Sequence, residues 1–121
     1  MTRREELAWA AGFFDGEGCT MIRRDRRLGD PTRAPTVNVG IAVNQVDRRV
    51  LDRLLAALGT GTIRGPYKTP GGKDQWRYAA DGFARVVAVV AILWPWLGEI
   101  KRDQARRVLL EYRAAREERA A

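Results

Sequence analysis

Residues 7–18 read Leu-Ala-Trp-Ala-Ala-Gly-Phe-Phe-Asp-Gly-Glu-Gly, and two patterns meet inside them. The first part carries a helix pattern with a stripe of very small residues. Ala8 and Gly12 stand four apart, on one helix face, with Ala11 beside them. A face that bare lets a second backbone come very close. The last part, Asp15-Gly16-Glu17-Gly18, ends the helix with two carboxylates and two glycines. Glycine permits a sharp turn there. Carboxylates sit badly against the negative end of the helix macrodipole. An acid kept at that end points to a bound cation such as a metal ion.

Working outward, Thr2-Arg3-Arg4-Glu5 fits a capping box that starts this helix, and the helix is predicted to run to about Phe14. Leu7, Ala11 and Phe14 share one face, Trp9 and Phe13 another, and one of the two sets should meet the chain's own sheet. Residues 19–27 read as a strand, and 28–35, with Gly29, Pro31 and Pro35, as a loop. Residues 36–45 alternate: Val37, Val39, Ile41 and Val43 with Asn38, Gly40, Ala42 and Asn44. A period of two is that of a strand with one buried face. Asp47 can cap a second helix over 48–58, striped by Val50, Leu51, Leu54, Leu55 and Leu58 and stopped by Gly59. A second hairpin spans 61–68 and 74–80 around Pro70-Gly71-Gly72. Asp81 can cap a third helix over 82–94, apolar on nearly every side and so expected to be the most buried. Pro95 and Gly98 break the chain before a basic amphipathic helix from about Glu99 to Arg119. The order αββαββα(α) makes an α+β fold, a four-stranded antiparallel sheet with helices on one face.

The chain has 121 residues, 45% of them hydrophobic, which suits a single domain over 1–121. No apolar run is long enough to span a membrane, so no membrane partner is expected, and the first residues lack the apolar core of a signal peptide. A lone cysteine, Cys19, makes no internal disulfide and fits a reducing, intracellular setting. The net charge of +7 favours a polyanionic partner, nucleic acid above all. There is no histidine, which excludes nucleases built on a catalytic His, His-based zinc sites and, with one Cys, zinc fingers.

Residues 10–18, Ala-Ala-Gly-Phe-Phe-Asp-Gly-Glu-Gly, resemble the LAGLIDADG motif of homing endonucleases. Ala11, Gly12, Asp15 and Gly18 match its letters. Ala10, Phe13, Phe14, Gly16 and Glu17 are variants on them, and Phe-Phe-Asp-Gly-Glu-Gly is a common ending. Two further blocks, in the right order, resemble the same family: Val43-Asn44-Gln45-Val46-Asp47-Arg48-Arg49, and Pro95-Trp96-Leu97-Gly98-Glu99-Ile100-Lys101-Arg102-Asp103-Gln104-Ala105. The αββαββα arrangement, with a saddle-shaped sheet, is the family's. The resemblance implies Glu17 as metal ligand, helped by the Gly16 carbonyl, with Mg²⁺ as the metal and Mn²⁺ or Ca²⁺ as substitutes in binding. It implies Gln45 as an organiser of solvent, Arg49 as a basic residue near the site, and Lys101 as the cation beside the attacking water. The last spacing is one residue long, so Lys101 and Arg102 both stand for that role. Mg²⁺ takes oxygen ligands and keeps several waters, as such a site needs.

A family member with one motif acts as a homodimer, and Ala8, Ala11, Gly12 and Asp15 are the expected interface, isologous by two-fold symmetry. The partner implied is double-stranded DNA. If the valines of 36–45 face the helices, Asn38, Gly40, Ala42 and Asn44 face outward, toward a major groove wide enough for a β-ribbon. Arg64, Lys68, Gln75 and Arg77 join them from the second hairpin, and Arg23 and Arg27 from the first strand. Arg33 is expected to track phosphates or bases from the loop. The resulting expectation is a homodimeric, metal-dependent, site-specific DNA endonuclease acting at a long pseudo-palindromic site. It would work inside a cell, beside DNA, in a bacterial or phage cytoplasm rather than an organelle. The alternatives are a cleavage-deficient relative acting as an RNA-splicing maturase or DNA-binding regulator, and a basic dimeric structural protein.

Overall fold

Thr2 caps α1 (Arg3–Glu17) in the reciprocal manner its sequence promises. Its hydroxyl accepts from Glu5 N at 3.1 Å, and its own N–H donates to the Glu5 carboxylate at 3.1 Å. The coordinates, a computed structural model, describe residues 1–25, 32 and 36–120. α1 runs past Phe14 and takes Asp15, Gly16 and Glu17 into its last turn. Its buried side is Leu7, Ala10, Ala11 and Phe14, so the Leu7 set meets the chain's own sheet. On another side Trp9 and Phe13 stack with ring centroids 5.5 Å apart.

The strands are β1 (Gly18–Asp25), β2 (Thr36–Gln45), β3 (Thr62–Tyr67) and β4 (Gln75–Asp81), and the helices α2 (Arg48–Leu58), α3 (Phe83–Leu93) and α4 (Glu99–Ala120), with a 3-10 turn over Trp94–Trp96 before α4. The sheet order is β1-β2-β4-β3, antiparallel throughout. Asp47 caps α2 by accepting from Arg49 N at 2.9 Å. Gly59 closes it with φ of 72°, the left-handed value that favours glycine. All four helices cover one sheet face. There Val39, Ile41, Val43, Tyr78 and Ala80 pack with Phe14, Leu51, Leu54, Val86 and Val89 in one core. The bidentate Arg53–Glu6 pair, 2.7 and 3.1 Å, ties α2 to α1 and lays the guanidinium 3.8 Å from the Trp9 ring centre.

Two expectations are corrected. Asp81 does not cap α3. It is the last residue of β4, and Gly82 takes the cap position with φ of 95° and no side-chain bond. Nor is α3 buried all round. Val86, Val89, Val90 and Leu93 face the core, while Val87 is 38% exposed. Its open side, with Trp94, Ala105 and Leu109, lines a shallow apolar groove of about 430 Å³ against α4. A helix on the outside of a two-layer fold has only one layer to pack against, whatever its composition.

Tyr78 is wholly buried, and its hydroxyl donates to Thr60 O at 2.7 Å. Burial pushes its pKa from 10.0 up to about 12. A folded value above the unfolded one gives stability that is complete below pH 10 and lost as pH rises toward 12. Tyr78→Phe should lower stability at neutral pH by about 1 kcal/mol through the lost bond. It should also flatten the alkaline fall in thermal midpoint between pH 10 and 12. Parallel midpoint-against-pH curves for the two proteins would assign that fall to other groups.

Candidate active site and nucleic-acid interface

The tip of α1 is where the sequence blocks converge. Glu17 ends the helix with its side chain exposed. Gly16 lies in the same last turn, where carbonyls lack intrahelical partners. Glycine at 18 is not there for a turn: φ of −87° and ψ of 160° suit any residue. It is there because a Cβ would lie 2.2 Å from the Phe14 ring. From α4, Lys101 reaches this tip and donates through Nζ to Gly18 O at 2.6 Å, while Arg102 turns the other way, to Trp94 O at 3.1 Å through Nε. Of the two cations, Lys101 is the one bonded to the residue that follows Glu17. Asp15 is also held from this side, its carboxylate accepting from Gly98 N at 2.9 and 3.0 Å. Gln104, not singled out as a site residue by sequence reasoning, accepts from Thr20 N at 3.0 Å.

Gln45 reaches the same end by sheet register, and Arg49 follows it in the first turn of α2. Gly18 pairs with Val43, so the end of β2 lies alongside the α1 tip, and half-buried Gln45 closes it. Arg49 grips the carboxylate of Asp47 at 2.7 Å and is otherwise 90% exposed. The guanidinium, by hydrogen bonding and charge, holds the Asp47 carboxyl down to about 2. Glu17 and the helix-end carbonyls are hard oxygen donors, which fits Mg²⁺, Mn²⁺ or Ca²⁺. Among the described residues no group of three His, Cys, Asp or Glu side chains stands close enough to hold a metal. Mg²⁺ keeps several waters and takes phosphate oxygens, so one or two protein oxygens suit it.

The bare helix side is open where the stripe predicts it. Nothing lies within 4 Å of a Cβ built on Gly12 or Gly16, and Ala8 is half-buried. Two expected interface residues are not on that side. Ala11 is fully buried in its own core, because the 3.6-residue repeat turns it toward Leu7 and Phe14. Asp15 is taken up by Gly98.

On the helix-free sheet face, register pairs Asn44 with Arg77 and Arg77 with Arg64, and Arg77 Nε donates to Asn44 Oδ1 at 2.9 Å. Arg23 pairs with Asn38 on the same face. Gln75 stands two residues before Arg77 on that side of β4. Lys68 falls just past β3, exposed in the turn. Gly40 and Ala42 point to this face, as expected, but are buried. Met21 and Asp81 flank Gly40, and Cys19 and Ala79 flank Ala42, so no open surface is left at either. Arg27 and Arg33 lie outside the described residues.

Among solved structures, the chain is similar to the homing endonuclease I-CvuI bound to the I-CreI target DNA with Mg, its DNA uncleaved. The identity is 27% over 92% of this chain and 68% of that one, with a TM-score of 0.74. It also matches the homing endonuclease I-TnaI, at 23% identity, 90% and 74% coverage and a TM-score of 0.68. A third is the LAGLIDADG meganuclease I-AabMI bound to uncleaved DNA, at 21% identity, 94% and 38% coverage and a TM-score of 0.66. No family model and no curated protein sequence matches the chain. Ala11-Gly12 and Asp15-Gly16-Glu17-Gly18 lie along α1 and at the first residue of β1, and the structural neighbours that share this fold are LAGLIDADG homing endonucleases.

The Asp15–Gly98 contact should matter to stability as well as to placement. Asp15→Ala leaves a part-buried N–H without its carboxylate and should cost roughly 1–3 kcal/mol in urea unfolding, with Asp15→Asn recovering part of it. Equal losses for the two variants would show that charge, not acceptance of the Gly98 bond, is what counts.

Proposed function

We propose that two copies of this chain form a metal-dependent endonuclease that cuts double-stranded DNA at a long, roughly palindromic site. The observation that carries this is the α1 tip: an exposed Glu17 with Lys101 bonded to the residue after it, directly next to an open stripe at Gly12 and Gly16. A second α1 laid against that stripe brings a second Glu17 to the dyad. DNA is the partner named for the solved structures of I-CvuI and I-AabMI, and the net charge of +7 suits it.

Glu17 and the Gly16 carbonyl would hold Mg²⁺, which when bound supplies activation of water and neutralisation of charge at the phosphate. Lys101 donates one N–H to Gly18 O and keeps two for a water or a phosphate oxygen, as a compact charge near the scissile bond. Gln45, with both donor and acceptor, orients solvent at the same end. Arg49 adds a cation at the rim. Asn38, Asn44, Arg23, Arg64, Lys68, Gln75 and Arg77 meet DNA from the sheet. No described helix is long and apolar enough to cross a membrane, and the expected place of work is inside a cell, with DNA.

Glu17→Gln should bind DNA as wild type does while cleavage of a randomised duplex library with Mg²⁺ falls at least ~100-fold. Undiminished cutting by the variant would take Glu17 out of the site. Salt-sensitive binding without cutting, by wild type and variant alike, would favour a maturase or regulator. Gly12→Leu should turn a dimer into monomer in a native mass measurement, and a dimer of unchanged affinity would place the interface elsewhere.

A further inference from the structure

Asp81 is the one carboxylate among the described side chains of the helix-free sheet face, and among the described residues only two loose ion pairs engage it. It caps no helix. Among the described residues its nearest cations are Arg23, 4.0 Å from Oδ1, and Arg64, 4.0 Å from Oδ2. Both are loose, part-exposed ion pairs, the kind that contribute little to stability. Among the described residues no hydrogen bond reaches the carboxylate. Across the strand, Gly40 holds the space open: a Cβ there would lie 3.0 Å from Asp81 Oδ1 and 3.7 Å from Arg23 Nη2. An acid on a face that meets phosphates works against binding in general, so its value must lie in particular bases.

We propose that Asp81 is a specificity-determining residue that reads a C·G base pair in the major groove, a claim that rests on the DNA-binding function above. In that groove cytosine shows its N4 amino donor, and guanine beside it shows the O6 and N7 acceptors. A carboxylate beside a guanidinium is the complementary pattern. Asp81 accepts from cytosine N4, and Arg23 or Arg64, released from its loose pair, donates to the guanine of the same pair. Adenine fits worse, because N7 stands next to its amino group and would face the second carboxylate oxygen. Asparagine, with one acceptor and one donor, reverses the order and matches adenine.

The test selects bound sequences from a randomised double-stranded DNA library with Ca²⁺ present, for wild type, Asp81→Asn and Asp81→Ala. Wild type should return a two-fold symmetric motif with cytosine fixed at one position of each half-site. Asp81→Asn should move that position to adenine, with about a tenfold change in preference. Asp81→Ala should lose the preference there without gaining another, which keeps the test alive if one variant fails to fold. An unchanged motif in both variants, or equal weakening on all sequences, overturns the role of Asp81 while leaving DNA recognition standing. A wild type that selects no motif overturns this proposal together with the function beneath it.

Discussion

Three contacts between α4 and the α1–β1 junction hold the rest in place. Asp15 takes the Gly98 N–H, Lys101 takes the Gly18 carbonyl, and Gln104 takes the Thr20 N–H, each spanning 83 or 84 residues. Each joins a side chain to a backbone polar group, at Gly98 just before α4 or at Gly18 and Thr20 where β1 begins. Such groups have no partner of their own at a helix end and are costly to leave unmade when buried. The motif helix therefore does not present Glu17 by itself. Its tip is positioned by a segment that begins eighty residues later, after the Trp94–Trp96 turn has reversed the chain.

Much of this was legible in the sequence wherever a local period decided it. The capping box, the alternating valines of β2 and the Leu stripe of α2 with Asp47 and Gly59 at its ends each depend on neighbours within a few residues. What failed depended on distant pairing. Alternation told which way Gly40 and Ala42 face, but not that β1 and β4 would cover them. Composition marked α3 as buried on every side, though the second layer covers only one side of it. Asp81 was read as a cap because the residue before a helix so often is one. Only the sheet register shows it opposite Gly40. The choice between Lys101 and Arg102 was open in sequence for the same reason: both lie on α4, and what separates them is Gly18 on one side and Trp94 on the other.

Within the motif itself, two glycines that look alike are kept for different reasons. Gly16 sits on a helix side where an added Cβ would meet nothing within 4 Å. Gly18 makes room for a ring, since any Cβ would collide with Phe14. The first leaves surface open and the second is a matter of packing within the chain, and a substitution at each would be felt in different measurements.

The span of the α4 contacts also sets an order in time. Ribosomes deliver α1 first, and domains tend to form from the N-terminus as they emerge. Yet the Gly18 carbonyl and the Thr20 amide keep no partner from α4 until Gln104 has been made and has docked. The helix that carries the acid is thus made before α4 and fixed only after it. A nascent chain displays the motif without its supporting geometry, and the finished tip exists only in a molecule whose α4 is in place.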